Sequence, residues 1–153
     1  MIRHILFLFV VVYASITSAQ TPAYFKNQIT CLADNIYFEA RGEGYEGWKA
    51  VASVTMNRYK HKAYPKSVCD VVYQKRNNIC QFSWVCGKPK MNHRSTKIYQ
   101  EIYDLAFHSY IGNMKDPTNG ALFYHTTAIS KKKLGLIRQT KLTKQIGNHI
   151  FYK

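Results

Sequence analysis

Four cysteines constrain this sequence more than any other feature, because two disulfides would join segments that lie far apart in the chain. They are Cys31, Cys69, Cys80 and Cys86. Four cysteines allow three pairings. The close spacing of Cys80 and Cys86 favours a local loop closed by that pair, and Cys31–Cys69 would then tie the first predicted helix to a later segment. Disulfides persist in oxidising compartments, so this interpretation requires an exported chain.

The N-terminus has the pattern of an export signal. A basic start at Arg3 precedes an apolar run over 5–13 and small residues at 17–19. This pattern predicts a secretory signal peptide over residues 1–19. The alternative is a membrane anchor, but the run is well short of the roughly 20 residues of a spanning helix. We expect a secreted or periplasmic protein without a stable membrane anchor after cleavage.

The charge balance narrows the class of partner. The chain has 153 residues, with 22 Lys and Arg against 8 Asp and Glu, and a formal net charge of +14. Such an excess favours nucleic acid, anionic membrane or anionic cell-wall polymer as partner. An exported protein rarely meets nucleic acid, so the cell wall is the leading candidate. The length suits one domain, and we expect a monomer.

Metal or cofactor chemistry is not indicated by the sequence. The chain contains neither a CxxC pair nor an HExxH helix motif, which are common zinc signatures. An amidase would normally need zinc or a Cys/His pair, and oxidised cysteines leave no nucleophile. We therefore predict no metal site and no cofactor.

Apolar periodicity predicts a mainly helical domain with a small β element, an α+β fold. A linker over 20–26 precedes a single domain over 27–153. A short apolar piece of uncertain type (67–74) and a turn-rich loop (80–89) lie in its middle. The predicted helices cover 28–41, 45–59 and, with Ser95 as the cap, the segment up to 110; the predicted strands cover 121–126 and 149–152.

Three of the few acidic residues lie in one segment, at Glu39, Glu43 and Glu46. Glu39 falls at the edge of the apolar stripe of the first predicted helix, where partial burial disfavours the charged form and raises the pKa. A general acid working on a glycosidic oxygen must hold its proton near neutral pH. The alternative is that the three acids form ion pairs with Arg41, Lys49 and Arg58.

The segment IYFEARGEGYEGWKAVASVTMNR at 36–58 resembles the opening motif of the SleB/CwlJ-type cell wall hydrolases, the family of the spore-cortex-lytic enzymes. Four later segments resemble the same family in the same order. They are YPKSVCDVVYQ at 64–74, CQFSWVC at 80–86, GALFYHT at 120–126 and IGNHIFYK at 146–153.

This resemblance implies a lysozyme-like, lytic-transglycosylase-related domain that cleaves peptidoglycan. Glu39, in the family's EAR motif, would be the catalytic acid. A lytic transglycosylase can use one carboxylate, which protonates the bridging oxygen between N-acetylmuramic acid and N-acetylglucosamine and then deprotonates the C6 hydroxyl that closes a 1,6-anhydro ring. The alternatives are an N-acetylmuramidase that uses Glu43 as a second carboxylate, and a non-catalytic wall-binding protein. We favour a structural or orienting role for Glu43.

Further candidate binding residues lie in the later motifs. Trp84 can stack on a sugar face, Phe82 can do so or fill the core, and Gln81 and Ser83 can hydrogen-bond acetamido groups. We expect one of the two rings to be buried. Tyr124, His125, Asn148 and His149 are candidates for lining the substrate groove, with a structural role as the alternative. The basic region 131–144 would hold the domain against anionic wall or outer-membrane polymers.

Overall fold

The computed structural model describes residues 22–128 and 140–153. Within these two ranges the fold has five α-helices, one short 3-10 turn and five strands. The helices are α1 (Pro22–Ala40), α2 (Gly44–Lys60), α3 (Val68–Val72), α4 (Ser83–Gly87) and α5 (Lys97–Tyr110), with the 3-10 turn at Asn92–Ser95. The strands are β1 (Lys75–Arg76), β2 (Ile79–Cys80), β3 (Phe123–Thr126), β4 (Leu142–Ile146) and β5 (His149–Tyr152).

Helix α1 forms the centre of the helical core and packs against α2, α3 and α5. Leu32 and Ile36 on α1 are fully buried, as are Val51 on α2 and Ile102 on α5. These residues recur at three- and four-residue steps, which places them on one face of each helix. The core therefore fixes the position of the carboxyl end of α1, where Glu39 lies.

Both predicted disulfide pairs are confirmed. Cys31 on α1 is bonded to Cys69 on α3, and Cys80 is bonded to Cys86 across the short segment that contains α4. The first bond joins two core helices, whereas the second closes a local loop, as the spacing predicted.

The first helix begins earlier than predicted. It starts at Pro22, so most of the predicted linker over 20–26 is helical. Proline is favourable at the first helical position because its fixed φ suits the helix and its missing N–H has no helical partner there. The ring of Phe25 packs edge-on against Tyr110 and Phe107 of α5, and this tertiary contact stabilises the extra turns.

The cap of α5 is also one residue away from its predicted position. Thr96 Oγ1, not the Ser95 hydroxyl, accepts a hydrogen bond from Tyr99 N at 3.3 Å. Ser95 belongs to the preceding 3-10 turn. Serine and threonine can both cap a helix through the side-chain hydroxyl, so the sequence alone did not show which of these neighbouring residues is the cap.

The β element is a three-stranded antiparallel sheet in the order β3-β5-β4. Tyr124 pairs with Phe151 and Thr126 pairs with His149. Because directly opposed residues share a face, Tyr124, His149 and Phe151 lie on one side of the sheet. Phe151 and Ala121 form a second apolar cluster with Ala50 and Val54 of α2, so this side faces the helices. The predicted mainly helical α+β class is confirmed.

Candidate active site

Glu39 lies near the end of α1 on the side that faces the sheet. Its Oε2 accepts a hydrogen bond of 2.9 Å from the hydroxyl of Tyr124 on β3. Burial raises the pKa of Glu39, and this effect exceeds the lowering by the Tyr124 hydrogen bond and by the charge of Arg58. Glu39 is therefore a partly buried carboxyl group that retains its proton at higher pH than an exposed glutamate does.

Tyr124 presents its hydroxyl to Glu39 because its strand pairing fixes the backbone. Its ring lies 5.1 Å from the ring of His149, edge to face, and 5.6 Å from that of Phe151. Burial, followed by the nearby charge of Glu39, raises the pKa of Tyr124 well above its ordinary value. Tyr124 thus remains a protonated phenol and a hydrogen-bond donor at neutral pH.

Arg58 is a buried cation next to this pair, and the sequence analysis did not assign it a role in the site. Its side chain is 5% exposed, and its Nε donates to the carbonyl of Leu122 at 2.8 Å. Its guanidinium lies within 6 Å of the rings of Tyr64, Phe82 and Phe123. The sequence signal that could have indicated this role is a lone arginine near the apolar face of a predicted helix. The bond to Leu122 anchors the chain just before β3, which carries Tyr124.

Glu43 has a different environment from Glu39. Its carboxylate accepts hydrogen bonds from the backbone N–H of Asn148 at 3.0 Å and from Asn148 Nδ2 at 3.1 Å. The backbone bond is the main reason why the pKa of Glu43 is lowered. Gly147 has a φ of +53°, and a Cβ there would lie 2.5 Å from Glu43 Oε2. Glu43 therefore joins the start of α2 to the turn between β4 and β5.

Replacing Glu43 with Gln is expected to destabilise the protein by about 1 kcal/mol at neutral pH, because one of the two Asn148 donors would lose its acceptor. A carboxylate with a lowered pKa stabilises the fold above its unfolded pKa, and this contribution is lost as the pH falls through the folded pKa. The difference between wild type and variant should therefore shrink in acid. Urea unfolding at neutral and acidic pH measures both effects.

Glu46→Gln is the matched control for that measurement. Glu46 is exposed and pairs with Lys49 at 3.1 Å, so we expect a change within about 0.5 kcal/mol. A Glu43→Gln effect no larger than this, or one that does not depend on pH, would contradict the structural role of the Glu43–Asn148 contact.

The loop closed by Cys80–Cys86 lies against the same face of α1. Phe82 is buried in the core, whereas Trp84 is partly exposed, and Gln81 and Ser83 are exposed. Trp84 Nε1 donates to Asn35 Oδ1 at 2.9 Å. Asn35 precedes Glu39 by one helical turn, so Trp84 is held beside the acid. As predicted, one of the two rings, that of Phe82, is buried, and the other, that of Trp84, is partly accessible.

Asn35 is a buried polar residue that sequence reasoning missed. Its Nδ2 donates to Thr55 Oγ1 at 3.1 Å, and Thr55 is fully buried. The Trp84 ring also stacks on Phe38 with the centroids 4.7 Å apart. These contacts fix the orientation of Trp84 through α1 and α2.

A second buried carboxylate, Asp34, supports the end of α1 from the other side. It accepts hydrogen bonds from Arg94 and from the Tyr99 hydroxyl, and it lies 3.2 Å from His93 Nε2. His93 stacks on Tyr37 with the centroids 4.3 Å apart. This cluster ties α1 to the 3-10 turn and α5, and nothing in the local sequence indicated it.

The comparisons with known proteins agree with this geometry. The family model described as Cell Wall Hydrolase matches residues 42–152. The chain belongs to this family. The matched range begins shortly after Glu39.

Curated proteins similar to this chain include spore cortex-lytic enzymes. That of Oceanobacillus iheyensis is 35% identical over 132 residues, which are 85% of this chain and 43% of that protein. That of Bacillus subtilis is 33% identical over 139 residues, 88% of this chain and 40% of that protein. The chain therefore spans less than half the length of these relatives.

Two solved structures have the same fold. The catalytic domain of the Bacillus cereus SleB protein matches with a TM-score of 0.64 and 30% identity, over 84% of this chain and 91% of that one. The catalytic domain of the germination-specific lytic transglycosylase SleB from Bacillus anthracis matches with a TM-score of 0.65 and 31% identity, over 83% and 94%. The lysozyme-like fold expected from the sequence motifs is confirmed.

The two histidines proposed for the groove lie on opposite faces of the sheet in this family member. His149 faces Tyr124, as described above, and burial lowers its pKa. His125 points the other way, with Nε2 2.8 Å from the Tyr152 hydroxyl and Nδ1 2.7 Å from the Thr126 carbonyl. The structure therefore brings His149, but not His125, to the side of Glu39. Asn148, also a candidate for the groove, donates hydrogen bonds from its backbone N–H and its side-chain Nδ2 to Glu43.

Other predicted features are only partly covered by the described residues. Signal peptide 1–19 lies outside them, as do Lys131, Lys132, Lys133 and Arg138 of the basic region; Lys141 and Lys144 of that region are exposed on or beside β4. Across 22–128 and 140–153, no three His, Cys, Asp or Glu side chains are grouped as a metal site requires. None of the helices described is long and apolar enough to cross a bilayer.

Proposed function

We propose that this protein is an exported lytic transglycosylase that cleaves peptidoglycan between N-acetylmuramic acid and N-acetylglucosamine. The observation that carries the proposal is the partly buried Glu39, with a raised pKa and a hydrogen bond from Tyr124. Membership of the cell wall hydrolase family supports the substrate class, and similarity to the Bacillus anthracis lytic transglycosylase supports the reaction type.

In this mechanism Glu39 makes both proton transfers. The protonated carboxyl gives its proton to the glycosidic oxygen as the bond to muramic acid C1 breaks, and N-acetylglucosamine leaves with a free 4-hydroxyl group. The carboxylate then takes the proton of the muramic acid C6 hydroxyl, whose oxygen bonds to C1. Glu39 ends protonated, the product carries a 1,6-anhydro ring and no water is consumed. Proton transfer by one positioned group in both steps is ordinary acid–base catalysis.

The environment of Glu39 suits each step. Burial favours the protonated acid that starts the reaction. Once Glu39 has lost its proton, the Tyr124 hydroxyl and the charge of Arg58 stabilise the carboxylate. The two opposing influences keep both protonation states accessible during one turnover.

Glu43 is the candidate second carboxylate of the alternative, a hydrolytic muramidase. Its contacts with Asn148 and its lowered pKa favour a positioning role. It is also the only acid beside Glu39 in the EARGE segment. A water-activating base would need a free oxygen near the sugar, whereas both Glu43 oxygens accept bonds from Asn148.

We assign substrate contacts to the residues nearest Glu39. Trp84 is the sugar-stacking ring, with Gln81 and Ser83 available to acetamido groups from the same loop. Tyr124 lies on the sheet side, and His149, which is buried, packs against the Tyr124 ring. Export follows from the predicted signal peptide, and the monomeric protein would be held at the wall by its excess of positive charge. This electrostatic attraction should weaken with salt, because screening acts within roughly 8 Å at physiological ionic strength.

We expect the oxidised protein to lower the turbidity of purified peptidoglycan, at a rate that falls as the pH rises through the raised pKa of Glu39. The reaction starts from protonated Glu39, so activity is present below its raised pKa and is lost as the pH rises through it. A turbidity assay across pH measures this limb. A protein that binds the wall without cleaving it would sediment with the peptidoglycan and leave the turbidity unchanged at every pH.

Tyr124→Phe is the matched variant for the pH limb. The Tyr124 hydrogen bond lowers the pKa of Glu39, so its removal should raise that pKa and move the alkaline limb to higher pH. The phenyl ring keeps the packing against His149 and Phe151. An unchanged limb would mean that another group controls the pH dependence.

A further inference from the structure

An open groove lies between the first turns of α2 and α5, separate from the Glu39–Tyr124 pair. Its volume is about 590 Å³. Two aromatic rings, one cation, one amide and two carboxylates line it. They are Tyr45, Trp48, Lys97, Gln100, Glu101 and Asp104.

Two aromatic side chains, Tyr45 and Trp48, form one side of this groove. Tyr45 is 55% exposed, although its ring is large and apolar. Trp48 is 7% exposed, and its indole Nε1 has no hydrogen-bond partner among the described residues. The indole nitrogen is itself buried, so what the groove offers a ligand on this side is the apolar surface of the two rings.

The carboxylates of the groove are exposed and have few contacts with the rest of the protein. Asp104 lies 3.9 Å from His108 and is 77% exposed, and Glu101 makes no hydrogen bond or ion pair with another described residue. The other six acids all have defined partners in the structure. These six are Asp34, Glu39, Glu43, Glu46, Asp70 and Asp116.

Two exposed carboxylates, one of them beside His108, lie in one groove of a chain with a net charge of +14 and indicate a cationic group in the ligand. Lys97, at the same groove, would complement an anionic group. The glycan strand itself has no amine, since its amino sugars are acetylated. The peptide stem of peptidoglycan has both charges, because its diamino acid carries a free amine, and its glutamate and its C-terminal residue carry carboxylates.

We propose that this groove binds the peptide stem of the substrate, with the free amine at Glu101 and Asp104 and a stem carboxylate at Lys97. The aliphatic chain of the diamino acid lies on the rings of Tyr45 and Trp48. An extended stem of four residues spans about 13 Å, and Tyr45 follows Glu39 closely in the chain. The choice of ligand rests on the proposed function, and it adds recognition of the stem to cleavage of the glycan.

A titration with a synthetic stem tetrapeptide tests the groove without catalysis. We expect saturable binding by calorimetry, and the double variant Glu101→Gln/Asp104→Asn should weaken it about threefold to tenfold, as for exposed charge pairs. Acetylating the peptide amine should weaken binding to wild type by a similar factor and have little further effect on the double variant.

Glu46→Gln is the control, since it removes one negative charge from α2 outside the groove lining and should leave the dissociation constant unchanged. Absence of binding, or equal weakening by Glu46→Gln and by the groove variant, would overturn the proposal. Both variants change exposed side chains, so thermal unfolding should remain within a few degrees of wild type.

Kinetics separate failure of this inference from failure of the proposed function. Wild type should have a several-fold lower KM for stem-bearing strands than for strands whose stems have been removed, and the double variant should lose this difference. Equal KM values for the two substrates in wild type would refute the groove and leave the transglycosylase intact. No cleavage of either substrate would refute the proposed function, and the peptide titration would still decide the groove.

Discussion

Replacing Glu39 with Gln is expected to lower turnover of peptidoglycan by about 10³- to 10⁴-fold, the upper part of the range for loss of a general acid or base. The large effect follows because the same group makes both proton transfers. Soluble fragments released from purified peptidoglycan measure the rate. Glu43→Gln, measured beside it, should retain a substantial fraction of activity. Equal losses in the two variants would instead support a hydrolase with two carboxylates.

The Glu39→Gln variant should be no less stable to unfolding than wild type. A carboxyl group with a raised pKa favours the folded state below its unfolded pKa, and this contribution is lost as the pH rises through the folded value. At neutral pH the removal of the partly buried acid therefore costs little, and Gln can still accept the Tyr124 hydrogen bond. A melting temperature equal to or above that of wild type would show that lost activity is not lost folding.

Removing the Cys31–Cys69 bond is expected to cost about 4 kcal/mol of unfolding free energy, by the chain-entropy estimate for a loop of this length. The two cysteines are separated by 38 positions and join α1 to α3 in the core. Single domains have a total stability of about 5–15 kcal/mol, so a Cys31→Ala/Cys69→Ala variant should approach the limit of folding. Guanidinium unfolding of the oxidised proteins measures the difference.

The second disulfide provides the matched comparison. Cys80 and Cys86 are separated by 6 positions, and the same estimate gives about 2 kcal/mol for Cys80→Ala/Cys86→Ala. A larger loss in this second variant than in the first would mean that local strain or packing at α4, rather than loop entropy, dominates disulfide stabilisation here.

Much of the fold could be predicted because its signals are local. The apolar steps of α1, α2 and α5 predicted three helices, and the aromatic runs predicted β3 and β5. The additional turns of α1 depend on Phe25 meeting α5, which no local pattern reveals. The β1–β2 hairpin has strands of only two residues, joined through Asn77 and Asn78 with positive φ. Strand β4 was missed because its mixed lysine-containing sequence suits an exposed edge strand as well as a loop.

The candidate site was predicted in part for the same reason. The margin of an apolar helix face drew attention to Glu39 with ion pairing as the alternative, and the resemblance to the family's motifs then made Glu39 and Tyr124 candidates for the site. The contribution of Arg58 depends on the approach of the chain before β3, and that of Asn35 on the loop containing Trp84. Asn148 was predicted from its motif, but its contact with Glu43 depends on the position of the β4–β5 turn against the start of α2. These are contacts between distant segments, which a sequence pattern does not encode.

The central claim is that Glu39 closes a 1,6-anhydro ring without the participation of water. The most direct test is mass spectrometry of muropeptides released by the oxidised protein in water enriched in oxygen-18. We expect products that end in 1,6-anhydromuramic acid and carry no heavy oxygen. Reducing muramic ends labelled with oxygen-18 would contradict it, since they would show that water attacked C1.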